Sequence, residues 1–366
     1  MAVASLPPRA PRSLRPARRA LAPAALLAAG VLLLTGCSTG PAGGDAAGGS
    51  TSGAATAGAT GEFPRTVEHV YGETTIEQAP ERVATVSWVN QDVAAALGVV
   101  PVGMPTTSFG ANGNGSTDWF DAAVEQSGAE APQQYSETDG INFEAIAALE
   151  PDIILGAYSG MTQEDYDKLS QIAPVVAYPA DAVPFGTSWQ DSTELIGEAL
   201  GREERAQEVI DDVEQQVAEA AAQHPQLEGT SFVYGTIDPS ASDPLLAYTD
   251  VDNRPKFLES LGMVQSPAVE EAAADRPDEF YVTWSPENAD RLASDVFVSY
   301  AADEGVRGTI EDDPLLSRVP AVAAGNLVLQ TDEQEVLSVS AASPLSIPWA
   351  LENVVPDIAA ASADGA

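Results

Sequence analysis

At 366 residues the chain exceeds what a single hydrophobic core organises and asks for about two lobes, and its 44% apolar content can furnish both. The formal charge is −39; the first 37 residues hold five of the 16 basic residues and no acid, so the rest carries 11 basic groups against 55 acidic, or −44. That sign excludes a nucleic-acid or anionic-lipid surface on the body, the only lysines (Lys168 and Lys256) leave no basic groove, and the single cysteine, Cys37, excludes a disulfide framework and a thiolate metal site.

In chain order, residues 1–36 read as an export leader. Arg9, Arg12, Arg15, Arg18 and Arg19 form a positive head, and the apolar run 21–34 is shorter than the about 20 residues of a membrane span. The run ends in Leu34-Thr35-Gly36-Cys37, which resembles the lipobox of bacterial lipoproteins, where cleavage leaves the cysteine N-terminal and lipid-modified. The expectation is lipidation of Cys37 and anchorage to the outer face of the cell membrane, stable only with more than one acyl chain. Residues 37–62 are nearly all Gly, Ala, Ser and Thr; they bury too little to offset their ordering entropy and read as a flexible tether.

From Phe63 the composition changes. "RTVEHV" and "TTIEQAP" read as a β-hairpin, then "RVATVSW", "NQDVAAALG" and "VVPVGM" as strand, helix and strand. The alternation continues with a helix over 143–149 stopped before Pro151, the strand "DIILGAY", the helix "TQEDYDKLSQIA" and the strand "VVAY". A helix over 188–200 closed by Gly201 precedes a second over 202–224. That second helix keeps an i, i+3/i+4 stripe of Ala206, Val209, Ile210, Val213 and Val217 and predicts a strut about 30 Å long. "TSFVYGTI", "RPKFLESLG" and "GNLVLQT" restart the strand and helix pattern, and "SPLSIPWALENVVPDIAAA" predicts a terminal helix. The fold class is therefore α/β: two Rossmann-like lobes, 63–187 and 227–366, joined by a long rigid interlobe helix placed within 188–226.

Catalytic chemistry lacks its parts. His69 and His224 are the only histidines, read as ordinary surface or helix-end residues, and "GAYSG" puts Ser159 in the wrong slot for a nucleophile elbow. There is no HExxH and no P-loop. Among 55 acids a chance carboxylate pair stays open, and with it a surface-anchored hydrolase. A sensor or adhesion module binding a protein also remains a competing class. Binding is better served: Trp88, Tyr158 and Tyr300 each follow a strand where cleft loops begin, and Trp189, Tyr248 and Arg254 lie in loops or helix starts that can line the same cleft.

One pattern occurs twice. In "NFEAIAALEPDIIL" and "SPENADRLASDVFV" a leucine follows a glutamate by five positions and an aspartate by eight. Asn142 and Ser285 can cap the two helices that carry Glu144 and Glu287. A first-turn acid is also what the helix dipole alone favours, worth about 0.3–1 kcal/mol.

Together these stretches resemble the ferric-siderophore and cobalamin family of ABC-transporter substrate-binding proteins, over essentially all of 63–360. "APERVATVSW", "NFEAIAALEPDIILGAYSG", "LGREERAQEVI" and "DPLLSRVPAVAAGNLVL" carry the likeness by their order and spacing. The resemblance implies a non-catalytic monomer without a cofactor that captures an iron chelate, haem or cobalamin and passes it to an ABC permease and its ATPase. It implies that Glu144 and Glu287 dock on the permease. With so few basic residues the ligand expected first is a hydroxamate-type ferric siderophore, with catecholate, haem and cobalamin behind it. The scarcity of histidine disfavours a naked metal ion.

Overall fold

The computed structural model of the protein describes residues 61–363. Cys37, the leader and the tether up to residue 60 lie outside the described residues, and Gly61 is already tied to the body by its N–H to the Gly201 carbonyl at 3.1 Å.

The first lobe opens with a hairpin of β1 (Arg65–His69) and β2 (Gly72–Ile76). It continues as β3 (Val83–Thr85), α1 (Asn90–Ala96), β4 (Gly103–Pro105), α2 (Asp118–Ser127), β5 (Gln133–Tyr135), α3 (Phe143–Ala148), β6 (Ile153–Leu155), α4 (Gln163–Leu169), β7 (Val175–Val176) and α5 (Trp189–Leu200). The five later strands are all parallel, in the order β5-β4-β3-β6-β7. β3, β4, β6 and β7 are buried throughout because helices cover both faces, while β5, at the edge, carries Gln133 and Gln134. Ile153 and Leu155 pack with α1 and α5, while Ile154 turns to Ile146 and Leu149 around α3 and to Leu169 of α4.

α6 (Glu203–Gln223) is the strut. Its buried stripe is divided: Ala206 and Val209 complete the first lobe's core, and Val213 and Val217 enter the second's. α5 belongs to the first lobe, since Leu195, Ile196, Ala199 and Leu200 all pack there. α6 buries its stripe in both cores, whereas α5 reaches the second only through Trp189 at its first position. Gly201 makes the turn between the two helices at φ 65°, a left-handed conformation a side chain resists, and a Cβ there would strike the Phe63 ring.

The second lobe runs through β8 (Ser231–Ile237), β9 (Leu245–Tyr248), α7 (Asn253–Ser260), β10 (Val264–Gln265), α8 (Pro267–Ala273), β11 (Tyr281–Thr283), β12 (Val296–Tyr300), α9 (Gly305–Asp312), α10 (Pro320–Ala324), β13 (Leu327–Gln330) and α11 (Glu333–Ser340). It ends in α12 (Ser346–Asn353) and α13 (Val355–Ala363), where the sequence reads as one helix; the chain breaks at Val354, two residues before Pro356. The sheet order is β11-β9-β8-β12-β13, with β10 also on β8. β9 is antiparallel to both neighbours, so β11 again points the way β8 does.

The lobes meet through more than the strut. Leu337 of α11 and Ala341, which caps it, sit in one apolar cluster with Val89, Met104, Trp119 and Phe120 of the first lobe. Glu333 accepts the Gly110 N–H at 3.1 Å and Gln334 accepts that of Asp118 at 3.0 Å. α11 is thus a second tie across the lobes, built from the far end of the chain. Among the described residues no helix is long and apolar enough to cross a membrane.

Candidate functional site

In the main sheet of each lobe the chain starts at a central strand, builds outward on one side, then crosses back to build on the other. The two resulting switch points lie between β3 and β6 and between β8 and β12, and crevices open at the carboxyl ends of such strand pairs. Trp88 follows β3 and Tyr158 follows β6; Tyr300 ends β12. The two lobes turn these strand ends toward each other. A small cavity of about 30 Å³ after β3 and β4 is closed by Leu337, and one of about 230 Å³ joins Phe109 to Tyr300 and Gln330.

Trp88 is 50% exposed, although only Val86 and Ser87 separate it from a buried strand. Its neighbours Ser87 and Val89 both have left-handed backbones, at φ 63° and 57°. Phe185, at φ 61°, places its ring 6.1 Å from Trp88 and 6.0 Å from Tyr158, above Gly160, where a Cβ would collide with it. Each such conformation costs a residue with a side chain about 1–3 kcal/mol and persists only where its surroundings enforce it. Three of the four non-glycine residues with positive φ among those described therefore surround one aromatic wall. Asn90 enforces it from beneath: fully buried, it donates to the carbonyls of Val86, Trp88 and Tyr158 and accepts the Tyr158 N–H at 3.0 Å.

The facing wall comes from the second lobe. The Arg254 guanidinium lies 4.0 Å over the Tyr248 ring and is paired with Asp252 at 2.8 Å, and the Tyr248 and Tyr300 hydroxyls are 3.3 Å apart. Burial pushes the Asp252 carboxyl up while Arg254 pulls it back. Asn253 Nδ2 reaches the Tyr158 hydroxyl at 3.3 Å and so links the two walls. The structure thus joins Trp88 to Tyr158, and Tyr248 and Arg254 to Tyr300. Trp189 stands apart: it lines a cavity of about 500 Å³ beside the strut, with Lys256 and Phe257. That cavity is the larger one and shares Asn253 with the facing wall, yet none of Trp88, Phe109 and Phe185 lines it, so the strand ends carry the stronger signal. Sequence reasoning missed Phe185, Phe109 and Asn90, and no local pattern in the sequence marks any of the three.

Deeper in the junction, Asp92 of α1 accepts the Trp119 indole N–H at 2.7 Å and the hydroxyl of Ser343 at 2.8 Å. Burial pushes its carboxyl up to about 6 against the pull of those two bonds.

The histidines do no chemistry here. His69 is buried, correcting the surface position expected from the sequence. Its Nδ1 accepts the Tyr71 N–H and its Nε2 donates to Thr74, whose own hydroxyl donates to the Val175 carbonyl; burial lowers its pKa, so it stays neutral. His224 sits at the C-terminal end of α6. The Ser159 hydroxyl is buried and donates to the Gly156 carbonyl. Among the described residues no group of His, Cys, Asp and Glu could hold a metal.

The repeated pattern resolves position by position. Leu149 and Leu292 are buried in the cores. Asp152 accepts the N–H groups of Glu81 and Arg82 just before β3, and Asp295 accepts that of Ser231 where β8 begins, so each ties down its lobe's first central strand. Glu144 and Glu287 are exposed and form no ion pair among the described residues. Asn142 caps α3 through the Ala145 N–H at 3.1 Å. Ser285 makes no such bond, and residues 286–291 form a kinked 3-10 turn, which leaves little dipole for Glu287 to answer. Each glutamate precedes its strand, β6 or β12, by nine positions, and each segment leaves the carboxyl edge of its sheet.

Two doubly wound lobes, bridged by α6 and tied again by α11, that face each other with aromatic strand ends define a solute-binding protein. The chain belongs to the periplasmic binding protein family, whose sequence profile matches residues 83–333. It is similar to the Fe(3+) dicitrate-binding periplasmic protein FecB of Escherichia coli, 30% identical over 175 residues, 48% of this chain and 54% of FecB. It is also 30% identical over 163 residues to the probable siderophore-binding lipoprotein YfiY of Bacillus subtilis, 42% of this chain and 44% of YfiY. These alignments span about half the length of either relative. The crystal structure of Streptococcus pneumoniae PiaA in complex with ferrichrome superimposes with a TM-score of 0.75 at 32% identity, covering 82% of this chain and 99% of PiaA.

Proposed function

We propose that this protein captures a ferric siderophore of the hydroxamate type at the facing strand ends and delivers it to an ABC importer, from a lipid anchor at Cys37 on the outer face of the cell membrane. The observation that carries the ligand class is the charge of the walls. The one arginine, Arg254, is already neutralised by Asp252, and the strand-end cavities add Asp92, Asp332 and Glu333 but no lysine or arginine. A triscatecholate iron complex would bring several negative charges to that surface with nothing to answer them, whereas a neutral or cationic hydroxamate chelate brings none. The aromatic wall of Trp88, Phe185 and Tyr158 suits the apolar flank of such a chelate. The likeness to ferrichrome-bound PiaA supports the same class, and the lipoprotein name of YfiY supports the anchor.

Calorimetric titration with ferrichrome, a ferric triscatecholate, haem and cobalamin tests the reading: ferrichrome is expected to bind at micromolar concentration or below, and the triscatecholate at least tenfold more weakly. Binding of none of the four rules it out, and preference for the triscatecholate overturns the ligand class. The repeated glutamates are the proposed permease contacts, one on each lobe, because their companions in the pattern have structural tasks and they have none. Glu144→Ala together with Glu287→Ala should leave chelate affinity within twofold and abolish uptake into cells; a fall in affinity would return both residues to the pocket or the fold.

A further inference from the structure

We propose that Glu137 is a positioning residue of the ligand site: its carboxylate fixes the Ser87-Trp88-Val89 arch and thereby holds the Trp88 indole ready for the chelate. The inference rests on the function proposed above. Trp88 is half exposed at a strand end, yet both flanking residues are left-handed, Val89 being β-branched and so among the least suited to that conformation. An exposed indole between two strained residues relaxes unless something holds the arch. Asn90 holds it from the Val89 side, through the Trp88 carbonyl at 3.0 Å. On the other side Glu137, in the loop after β5, accepts the Ser87 N–H at 2.9 Å.

The setting is a poor one for a carboxylate that had no task. Burial and the nearby charge of Asp165 push Glu137 up to about 7, and its second oxygen is buried without a partner. A loop residue there could as well be serine or glycine, if all the fold required were a chain reversal. Just below, the Tyr135 hydroxyl bonds the Thr85 carbonyl, so the end of β5 and the end of β3 are joined twice, once at the strand and once at the arch. The carboxylate is the upper joint, and Trp88 is what it presents.

The test is a double-mutant cycle read by calorimetry with ferrichrome. Glu137→Ala should weaken binding about five- to tenfold, the worth of one hydrogen bond that orders the arch. Glu137→Gln, which keeps an acceptor oxygen, should recover most of that loss. In a Trp88→Phe background the Glu137→Ala penalty should shrink to less than twofold, because Glu137 acts through the indole. No penalty, or an equal penalty in both backgrounds, overturns the proposal. Should Glu137→Ala not fold, Glu137→Asp replaces it: the charge stays, the acceptor is withdrawn, and the same outcomes decide. If ferrichrome does not bind the unaltered protein, the functional reading fails by itself. The arch is then judged without ligand, from acrylamide quenching of Trp88 emission obtained by subtracting the Trp88→Phe spectrum. Quenching that rises in Glu137→Ala and falls back in Glu137→Gln sustains the positioning role, and unchanged quenching overturns it.

Discussion

Asp92 shows how much a single buried carboxyl can set. It is fully enclosed between α1, Trp119 and Ser343, and burial holds it at about 6. A folded-state value above the unfolded one, near 3.9, means the native state binds the proton more tightly than the unfolded chain does. Its contribution is then complete below about pH 4 and is lost as pH rises through about 6. Asp92→Asn should keep the acceptor for Trp119 and Ser343, raise stability at pH 8 by about 1–3 kcal/mol and change it little at pH 4. Chemical denaturation at the two pH values reads this directly, and an equal shift at both would mean the carboxyl charge is not the cause. In the sequence Asp92 was one acid among 55, and its partner Ser343 lies 251 positions away, so nothing local could single it out. Asn90 is hidden for a related reason: "NQDVAAALG" reads as a helix start, while the task of that asparagine is to tie two loops that meet only in the folded lobe.

At the level of elements, α6 carries the argument. Its stripe from Ala206 to Val217 is shared between two cores, so a break in mid-helix should act on both. Asp211→Pro, at an exposed position, should cost about 3 kcal/mol or more and split a single unfolding transition into two, one for each lobe. One transition at lower temperature would show instead that α11 alone keeps the lobes coupled. The strut, the alternating strands and the capped helices were legible because each rests on local periodicity or on a residue with one physical use, such as Gly201. What was not legible depended on direction. Trp189 and Tyr158 both follow first-lobe strands, but only the folded chain shows that the helix start turns Trp189 toward the strut and α7. The left-handed Phe185 likewise carries no sequence signal, since phenylalanine has no preference for that backbone.

For the whole molecule, net charge and buried acids act in the same direction. The chain carries −39, and Glu137 and Glu335 are both raised to about 7 by burial, beside Asp92 at about 6. Each raised acid loses its stabilising contribution as pH climbs through its folded value, and self-repulsion grows over the same range. The melting temperature should therefore be higher at pH 5 than at pH 8. At pH 8 it should rise with sodium chloride as the screening length shortens from about 10 Å at 0.1 M to about 3 Å at 1 M. Scanning calorimetry across both variables checks the pair, and a melting temperature that falls on acidification from 8 to 5 would contradict the burial of these groups.

The reach of α11 onto the first lobe also bears on the order in which the chain becomes itself. A polypeptide released N-terminus first has every strand of the first lobe available long before residue 337, yet Met104, Trp119 and Phe120 lack part of their cover until Leu337 and Ala341 arrive. The early half must wait with an apolar face partly open, and it is completed by a segment that emerges long after it. A nascent chain stalled before α11 would offer that face to chaperones or to its neighbours.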